Sequence, residues 1–418
     1  MLKQNLFYSS ISSFAKLFSN ILLVIVLARF ISLNDFGVFT FALAFSTIWT
    51  VFADYGFSIK LLTDLPINIC NTPKLITIAL FTKLFVIGFA IIFFIIYIAF
   101  AHLTSLQIDI LILMCLATTA QSFGLMLLNA YKATNRYHVE TACLSLDGIL
   151  TLILCGMAGF LTHNVFYVAI FYCAEKVLFL IITLIKYLYD YNFEYIEWRH
   201  VRRELYLAWP YAAHFILGTI YLNVDTIILK FFVTNSAIGI YQAGMRIVIG
   251  SGIALAVANS VMLPRLSKLF HHDRKAFIYN ARYFNWAFIF MGIFFAIFLI
   301  VASKEFVIIM YGEKFLVLSN IMWLFASIIF LRYFGGMYGV FITVSGNQSI
   351  RAIATLCTLL FVVISDIFVI PKYGIVGAGI DLLLAHVFLN VIYLFFTLKE
   401  FGLLFVYRLD KPEWCSQA

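Results

Sequence analysis

The chain is 418 residues long, 64% hydrophobic and only 11% charged, against roughly 45–50% apolar and 25% charged for a soluble domain, so a soluble enzyme is excluded. Six prolines, 22 glycines and a mean hydropathy of +1.02 exclude disordered and fibrous classes. Lysine and arginine outnumber aspartate and glutamate by 28 to 20, a formal net charge of +8, which in so apolar a chain points to basic loops at a membrane face, with no nucleic acid partner.

Apolar runs of membrane-spanning length, roughly 20 residues each, fall at 6–31, 37–59, 75–100, 107–131, 139–161 and 164–187. Six more follow at 206–232, 237–262, 279–302, 316–343, 352–370 and 375–398, so about twelve helices are predicted. The first run lacks an A-x-A-like cleavage site and is read as a retained helix. Positive loops resist translocation. With the N-terminus inside, inner segments hold Lys60, Lys74, Lys132, Arg136, Lys186, Arg199, Arg202 and Arg203, and later Arg265, Lys268, Arg274, Lys275 and Arg351; the outside receives only Arg29, Lys304, Lys314 and Lys372. Both termini are therefore expected in the cytoplasm. The longest loops, about 188–205 and 263–278, are too short for a soluble catalytic domain.

Seven cysteines sit mostly inside apolar runs without a C-x-x-C, so neither a zinc site nor a disulfide framework is expected. His271-His272 lies among lysines and arginines with no third ligand nearby and reads as solvated. No metal and no cofactor are expected.

The chain repeats itself. Arg29-Phe30 leads through a polar turn with Asn34 to Gly37-Val38-Phe39, and Lys230-Phe231 leads through Asn235 to Gly239-Ile240-Tyr241, with one residue of slippage. Two six-helix halves in the same orientation are inferred: a first lobe at 1–187, a basic linker at 188–205, a second lobe at 206–398 and a cytoplasmic tail at 399–418.

A charge at mid-membrane costs at least about 2.5–3.5 kcal/mol by insertion scales, so ionisable residues inside the runs are functional candidates. They are Lys16, Lys83, Lys176, Lys230, Arg246 and Arg332, against Asp54, Asp147, Glu175, Asp225, Asp366 and Asp381. Lys83 and Lys230 are expected to snorkel to helix ends, Asp54 and Asp147 to sit towards a hydrated cytoplasmic interface, and Asp366 and Asp381 towards a hydrated outer one. Glu175 and Lys176 are neighbours pointing about 100° apart, so each is expected to find its partner elsewhere. Polar residues at helical spacing mark stripes: Ser9, Ser12, Lys16 and Asn20; Thr47, Thr50 and Asp54; Tyr211, His214, Gly218, Tyr221 and Asp225; Gln242, Arg246 and Gly250. Such stripes either line a cavity or pack helix on helix.

The Ser32-x-x-Asp35-Phe36-Gly37-x-Phe39 turn, Val224-Asp225-Thr226, Gly239-Ile240-Tyr241-Gln242-Ala243, Pro264-Arg265-Leu266-Ser267, Tyr311-Gly312-Glu313-Lys314-Phe315 and Pro371-Lys372-Tyr373-Gly374-Ile375-Val376-Gly377-Ala378 resemble Wzx-type O-antigen and polysaccharide flippases of the multidrug/oligosaccharidyl-lipid/polysaccharide exporter superfamily. The resemblance covers nearly the whole chain. It implies an all-α integral membrane protein of about twelve transmembrane helices in two pseudo-symmetric six-helix lobes around a central cavity. The implied activity is not enzymatic: undecaprenyl-pyrophosphate-linked oligosaccharide moves from the cytoplasmic to the periplasmic leaflet of the bacterial inner membrane by alternating access. A polysaccharide polymerase and chain-length machinery are the implied partners, beside the lipid bilayer. Cations in the first and eighth helices look like those of related lipid-linked flippases. On that reading Lys16, Arg246 and Arg332 face one cavity and hold the pyrophosphate, while Asn20, Tyr211, Tyr221 and Gln242 contact sugar. Asp225, Glu175, Asp54 and Asp147 are the carboxylates for H⁺ or Na⁺ coupling. Two alternatives stand beside it: a drug/cation antiporter of the same superfamily, and a membrane polymerase or acyltransferase.

Overall fold

A computed structural model describes residues 15, 18–65, 71–101 and 103–401. Lys16 lies outside the described residues, as does the side chain of His214. All the regular structure described is helical: α1 (Phe18–Phe30), α2 (Leu33–Asp54), α3 (Phe57–Asp64), α4 (Thr72–Phe100), α5 (Ser105–Ala133), α6 (Tyr137–Thr162) and α7 (Val165–Asp190). Then come α8 (Trp198–Phe232), α9 (Asn235–His272), α10 (Arg274–Val301), α11 (Ser303–Tyr311), a 3₁₀ turn at Glu313–Phe315, α12 (Val317–Val344) and α13 (Gln348–Phe401). Helices suit apolar runs this long, because each one satisfies its backbone N–H and C=O groups internally where hydrocarbon offers no partner.

Among the described residues ten helices are long and apolar enough to cross a bilayer. One of them, α13, holds both of the last predicted runs, joined where Pro371 removes a donor and Gly374 turns to φ 57°, ψ −135°. The described part of α1 is a further, shorter apolar helix. These two features reconcile ten with the predicted twelve. Polar side chains start the helices: Ser32 accepts from the Asp35 amide at 3.1 Å, and Thr104 and Gln107 cap each other at the head of α5. Large apolar side chains stand exposed along α4 (Phe89, Ile92, Phe93), α10 (Phe290, Phe294) and α13 (Ile364, Phe368), as contact with lipid tails requires.

The second predicted run, 37–59, is broken. Tyr55 and Gly56 both take left-handed backbone, α2 stops at Asp54 and the short α3 restarts at Phe57. The cause is a close approach: a Cβ on Gly56 would lie 2.6 Å from the Ala212 amide of α8.

Internal contacts divide the chain into two compact units, Met1–Gln242 and Ala243–Ala418, with the boundary inside α9. In the first, α5 and α6 pack on α7, α2 on α5, and α8 along α2, α3 and α4. In the second, α12 packs between α10 and α13.

Charged pairs tie the helix ends of the first unit on the side that the sequence assigns to the cytoplasm. Lys60 of α3 meets Glu204 of α8 at 2.8 Å, Lys132 of α5 meets Glu140 of α6 at 2.9 Å, and Arg136 meets Asp190 of α7 at 3.4 Å. Burial works against the Lys60 ammonium, but hydrogen bonds and charge from Asp64 and Glu204 outweigh it and hold its pKa above the usual lysine value. At the opposite end the repeated loops meet. Asn235 Nδ2 donates to Asn34 Oδ1 at 3.1 Å, and Lys230 Nζ donates to Asn235 Oδ1 at 2.6 Å. Gly37 lies so close to the Asn235 carbonyl that a Cβ there would sit 1.7 Å from its oxygen; one on Gly239 would lie 3.1 Å from the Gly37 nitrogen. Asn34 and Gly37 thus each touch their counterpart in the repeat, the pattern that a two-fold axis near the contact produces.

Gly37→Ala is therefore expected to lower unfolding stability by about 1–3 kcal/mol, read as the thermal midpoint of the detergent-solubilised protein. Gly88→Ala is the control. Nothing lies within 4 Å of a Cβ there, and the change should raise stability by up to about 1 kcal/mol through helix propensity.

Candidate functional site

The first unit contains two buried ionic networks, and they meet at α5. In the first, Lys83 of α4 is fully buried and its Nζ lies 2.6 Å from Asp54 Oδ1 at the end of α2. Ser122 Oγ of α5 donates to the same oxygen at 3.1 Å, and Ser58 donates to the carboxylate twice, from its amide at 3.2 Å and its hydroxyl at 2.9 Å. Lys83 also stands 5.0 Å from the centre of the Phe123 ring. It does not snorkel. A lysine in mid-helix with an acid within reach gains more from that partner than from stretching to an interface.

In the second network Lys176 of α7 reaches Asp147 Oδ1 of α6 at 2.7 Å and Glu175 Oε2 at 2.9 Å. The expectation that Glu175 and Lys176 find partners only elsewhere is thus corrected. Their Cβ atoms diverge, but both chains are long enough to converge on Thr151, whose hydroxyl lies 2.7 Å from Lys176 Nζ and 2.8 Å from Glu175 Oε2. Gln121 of α5 completes the set, donating to Asp147 Oδ2 at 3.1 Å.

A cavity of about 560 Å³ opens beside both networks. Thr47, Thr50, Asp54, Ser58, Gln121, Ser122 and Asn129 line it, and the Lys132–Glu140 pair lies at one end. Hydroxyls, amides, the Asp54 and Glu140 carboxylates and the Lys132 ammonium therefore share the wall with Val51, Ile59, Leu62, Leu125, Leu128 and Leu144, around a space large enough for a small ligand or a file of water.

The remaining candidates fall elsewhere. Asp225 of α8 accepts from the Tyr241 hydroxyl at 2.6 Å, and one position along on each helix Gln242 donates to Thr226. These two contacts pin α8 to the start of α9. Tyr221 is buried, Tyr211 lies 3.4 Å from the Thr63 hydroxyl and Asn20 is exposed. Lys230 ends at Asn235, as a snorkelling residue should.

In the second unit, Arg332 of α12 donates to the Val248 carbonyl of α9 at 3.2 Å and lies against Gly252. Arg246 sits two residues before Val248, so its Cα is about 200° around the helix from that contact; its charge acts on the Tyr311 phenol, whose hydroxyl donates to the Ala243 carbonyl at 3.0 Å. The Arg332 contact and Arg246 thus occupy different sides of α9. Gly335, beside Arg332, is no hinge: α12 runs unbroken, and the glycine makes room for Asn390 of α13, which donates to the Leu331 carbonyl at 2.8 Å. Asp366 and Asp381 are buried, with Ser365 donating to Asp381 at 2.6 Å, and so are Asp54 and Asp147 of the first unit; a hydrated interface was expected for all four.

Sequence reasoning missed Ser58, Thr151, Gln121 and Ser122. A signal for the first two was present, since each stands four residues after a buried acid, Asp54 or Asp147. Gln121 and Ser122 gave none, because only the packing of α5 against α2, α4 and α7 brings them to the networks.

Comparison with known proteins places this geometry. The sequence profile of a family described as polysaccharide biosynthesis protein matches residues 2–270. The capsular polysaccharide biosynthesis protein CapF of Staphylococcus aureus is 22% identical over 197 residues, 47% of this chain and 50% of that protein, so the match spans about half the length of this curated relative. Among solved structures, the lipid II flippase MurJ in an inward closed conformation aligns at a TM-score of 0.71 with 18% identity, covering 94% of this chain and 87% of that one. An inward-facing multidrug resistance MATE family transporter of the MOP superfamily aligns at 0.69 with 12% identity, covering 96% and 98%. The fold is shared with both.

Breaking one side of the buried Asp54–Lys83 pair should cost about 3–5 kcal/mol. Lys83→Met is expected to lower the thermal midpoint sharply, and Lys83→Met combined with Asp54→Asn should recover most of the loss.

Proposed function

The chain belongs to the polysaccharide biosynthesis protein family, and from that premise we propose that it flips an undecaprenyl-pyrophosphate-linked oligosaccharide from the cytoplasmic to the periplasmic leaflet of a bacterial cytoplasmic membrane. The observation that carries the reading is a cavity with hydroxyls, amides and charged groups set among aliphatic side chains inside an apolar helical unit, together with a fold shared with a lipid II flippase. A glycan headgroup needs such donors and acceptors during its passage, while its polyprenyl tail stays in lipid. Alternating access about the two repeated halves requires no covalent chemistry. Both termini lie in the cytoplasm on this reading.

Arg246 and Arg332 are assigned to the pyrophosphate, because a guanidinium presents paired donors to phosphate oxygens. Their placement on different sides of α9 implies that they act in succession along the path. Tyr211 and Tyr221 are assigned to the sugar faces. Translocation is coupled to an ion through the buried carboxylates of the first unit.

The test is leaflet sidedness of a pyrophosphate-linked oligosaccharide in proteoliposomes at matched protein insertion. Wild type should translocate it, and Arg246→Ala and Arg332→Ala should each lose about ten- to a hundredfold in rate, the worth of a hydrogen bond to a charged group. If wild type moves no glycolipid while exporting an organic cation, the antiporter reading replaces this one.

A further inference from the structure

The two ionic networks differ in one respect. In the Asp54–Lys83 network one acid faces one base, and both carboxylate oxygens receive donors. Around Lys176 two acids share one base. All three side chains are at most 2% exposed, so three full charges would leave an uncompensated negative charge in a low-dielectric interior. Holding one proton removes that excess.

The hydrogen bonds show which acid holds it. Asp147 has donors on both oxygens, Lys176 on Oδ1 and Gln121 on Oδ2, which favours its anion. Glu175 has Lys176 and Thr151 on Oε2, but its Oε1 is buried without a hydrogen-bond partner. An orphaned carboxylate oxygen in such a place is the position for a hydrogen atom.

We propose that the Asp147–Lys176–Glu175 cluster is a proton-exchange site in which Glu175 Oε1 carries one exchangeable proton; that its gain and loss drive translocation rests on the flippase reading above. No metal is required. On release the Oε1–H bond breaks, the electron pair stays on the carboxylate and the proton is taken by a water molecule as hydronium; the adjoining cavity, whose wall includes the Gln121 that holds Asp147, is the source of that water. The groups facing Glu175 are Lys176 and Tyr172 from α7 itself and Asp147 and Cys155 from α6. Of the other helices packed on α7, α5 contributes the uncharged Gln121, and the buried acid of α2, Asp54, is occupied by Lys83.

The experiment is an infrared pH titration of the full-length protein in lipid nanodiscs, following the C=O stretch of protonated carboxyl groups. Wild type should lose, as the pH rises, a band that shifts under ¹³C-glutamate labelling and is missing from Glu175→Gln; a band that shifts only under ¹³C-aspartate labelling belongs to the buried Asp366–Asp381 pair. A glutamate-shifted band that persists in Glu175→Gln, or the lack of any glutamate-shifted titrating band, overturns the proposal. Loss of the band on adding Na⁺ at fixed pH overturns it too, in favour of a sodium site. The isotope arm needs no variant, so it stands even if Glu175→Gln fails to fold. In proteoliposomes an inward pH gradient should speed wild-type translocation several-fold and leave Glu175→Gln unmoved. An equal response in both proteins overturns the coupling. Translocation missing altogether would sink the flippase reading and leave the infrared result in force.

Discussion

A charge inside hydrocarbon must be neutralised where it stands, and the first unit is organised around that demand. Lys83 binds α4 to the end of α2 through Asp54, and Lys176 binds α7 to α6 through Asp147. Both networks reach α5, at the adjacent residues Ser122 and Gln121. Two consecutive side chains on one helix thus anchor four others. Each contact is also directional, so α5 cannot rotate or slide without taking a hydrogen bond from a buried carboxylate.

The same networks explain how a polar cavity persists between apolar helices. Hydroxyls and amides recruited to satisfy the ions leave donors and acceptors over for the space beside them; Ser58, Ser122 and Gln121 serve the ions and the cavity wall at once. In the second unit Arg332 is placed by backbone: it donates to the Val248 carbonyl of α9 and lies against Gly252.

Much of the fold was legible in the sequence. Apolar run length predicted the helices and the place of Pro371-Gly374 between the last two. The break at Tyr55-Gly56 was hidden, because its cause is the Ala212 backbone of α8, more than 150 residues away. The site was half legible. Every buried acid of the two networks could be picked out as an ionisable residue in an apolar run, yet its partner could not, since pairing depends on which helix faces which. Glu175 and Lys176 illustrate the limit: angular separation on a helix governs where Cβ points, but a lysine and a glutamate have enough rotatable bonds to meet at a third residue.

The joint between the repeated loops has a consequence for how the protein is made. Asn34 and Asn235 are 201 residues apart in the chain, so the head of α2 has no partner at that joint until eight helices have been synthesised and α9 has begun to enter the membrane. Long-range closure of this kind is slow and leaves its surfaces open in the meantime. During biogenesis, the backbone around Gly37, shaped to receive another backbone, is an exposed surface for the insertion machinery or a chaperone to shield, and the arrival of the second loop is the event that ends that exposure.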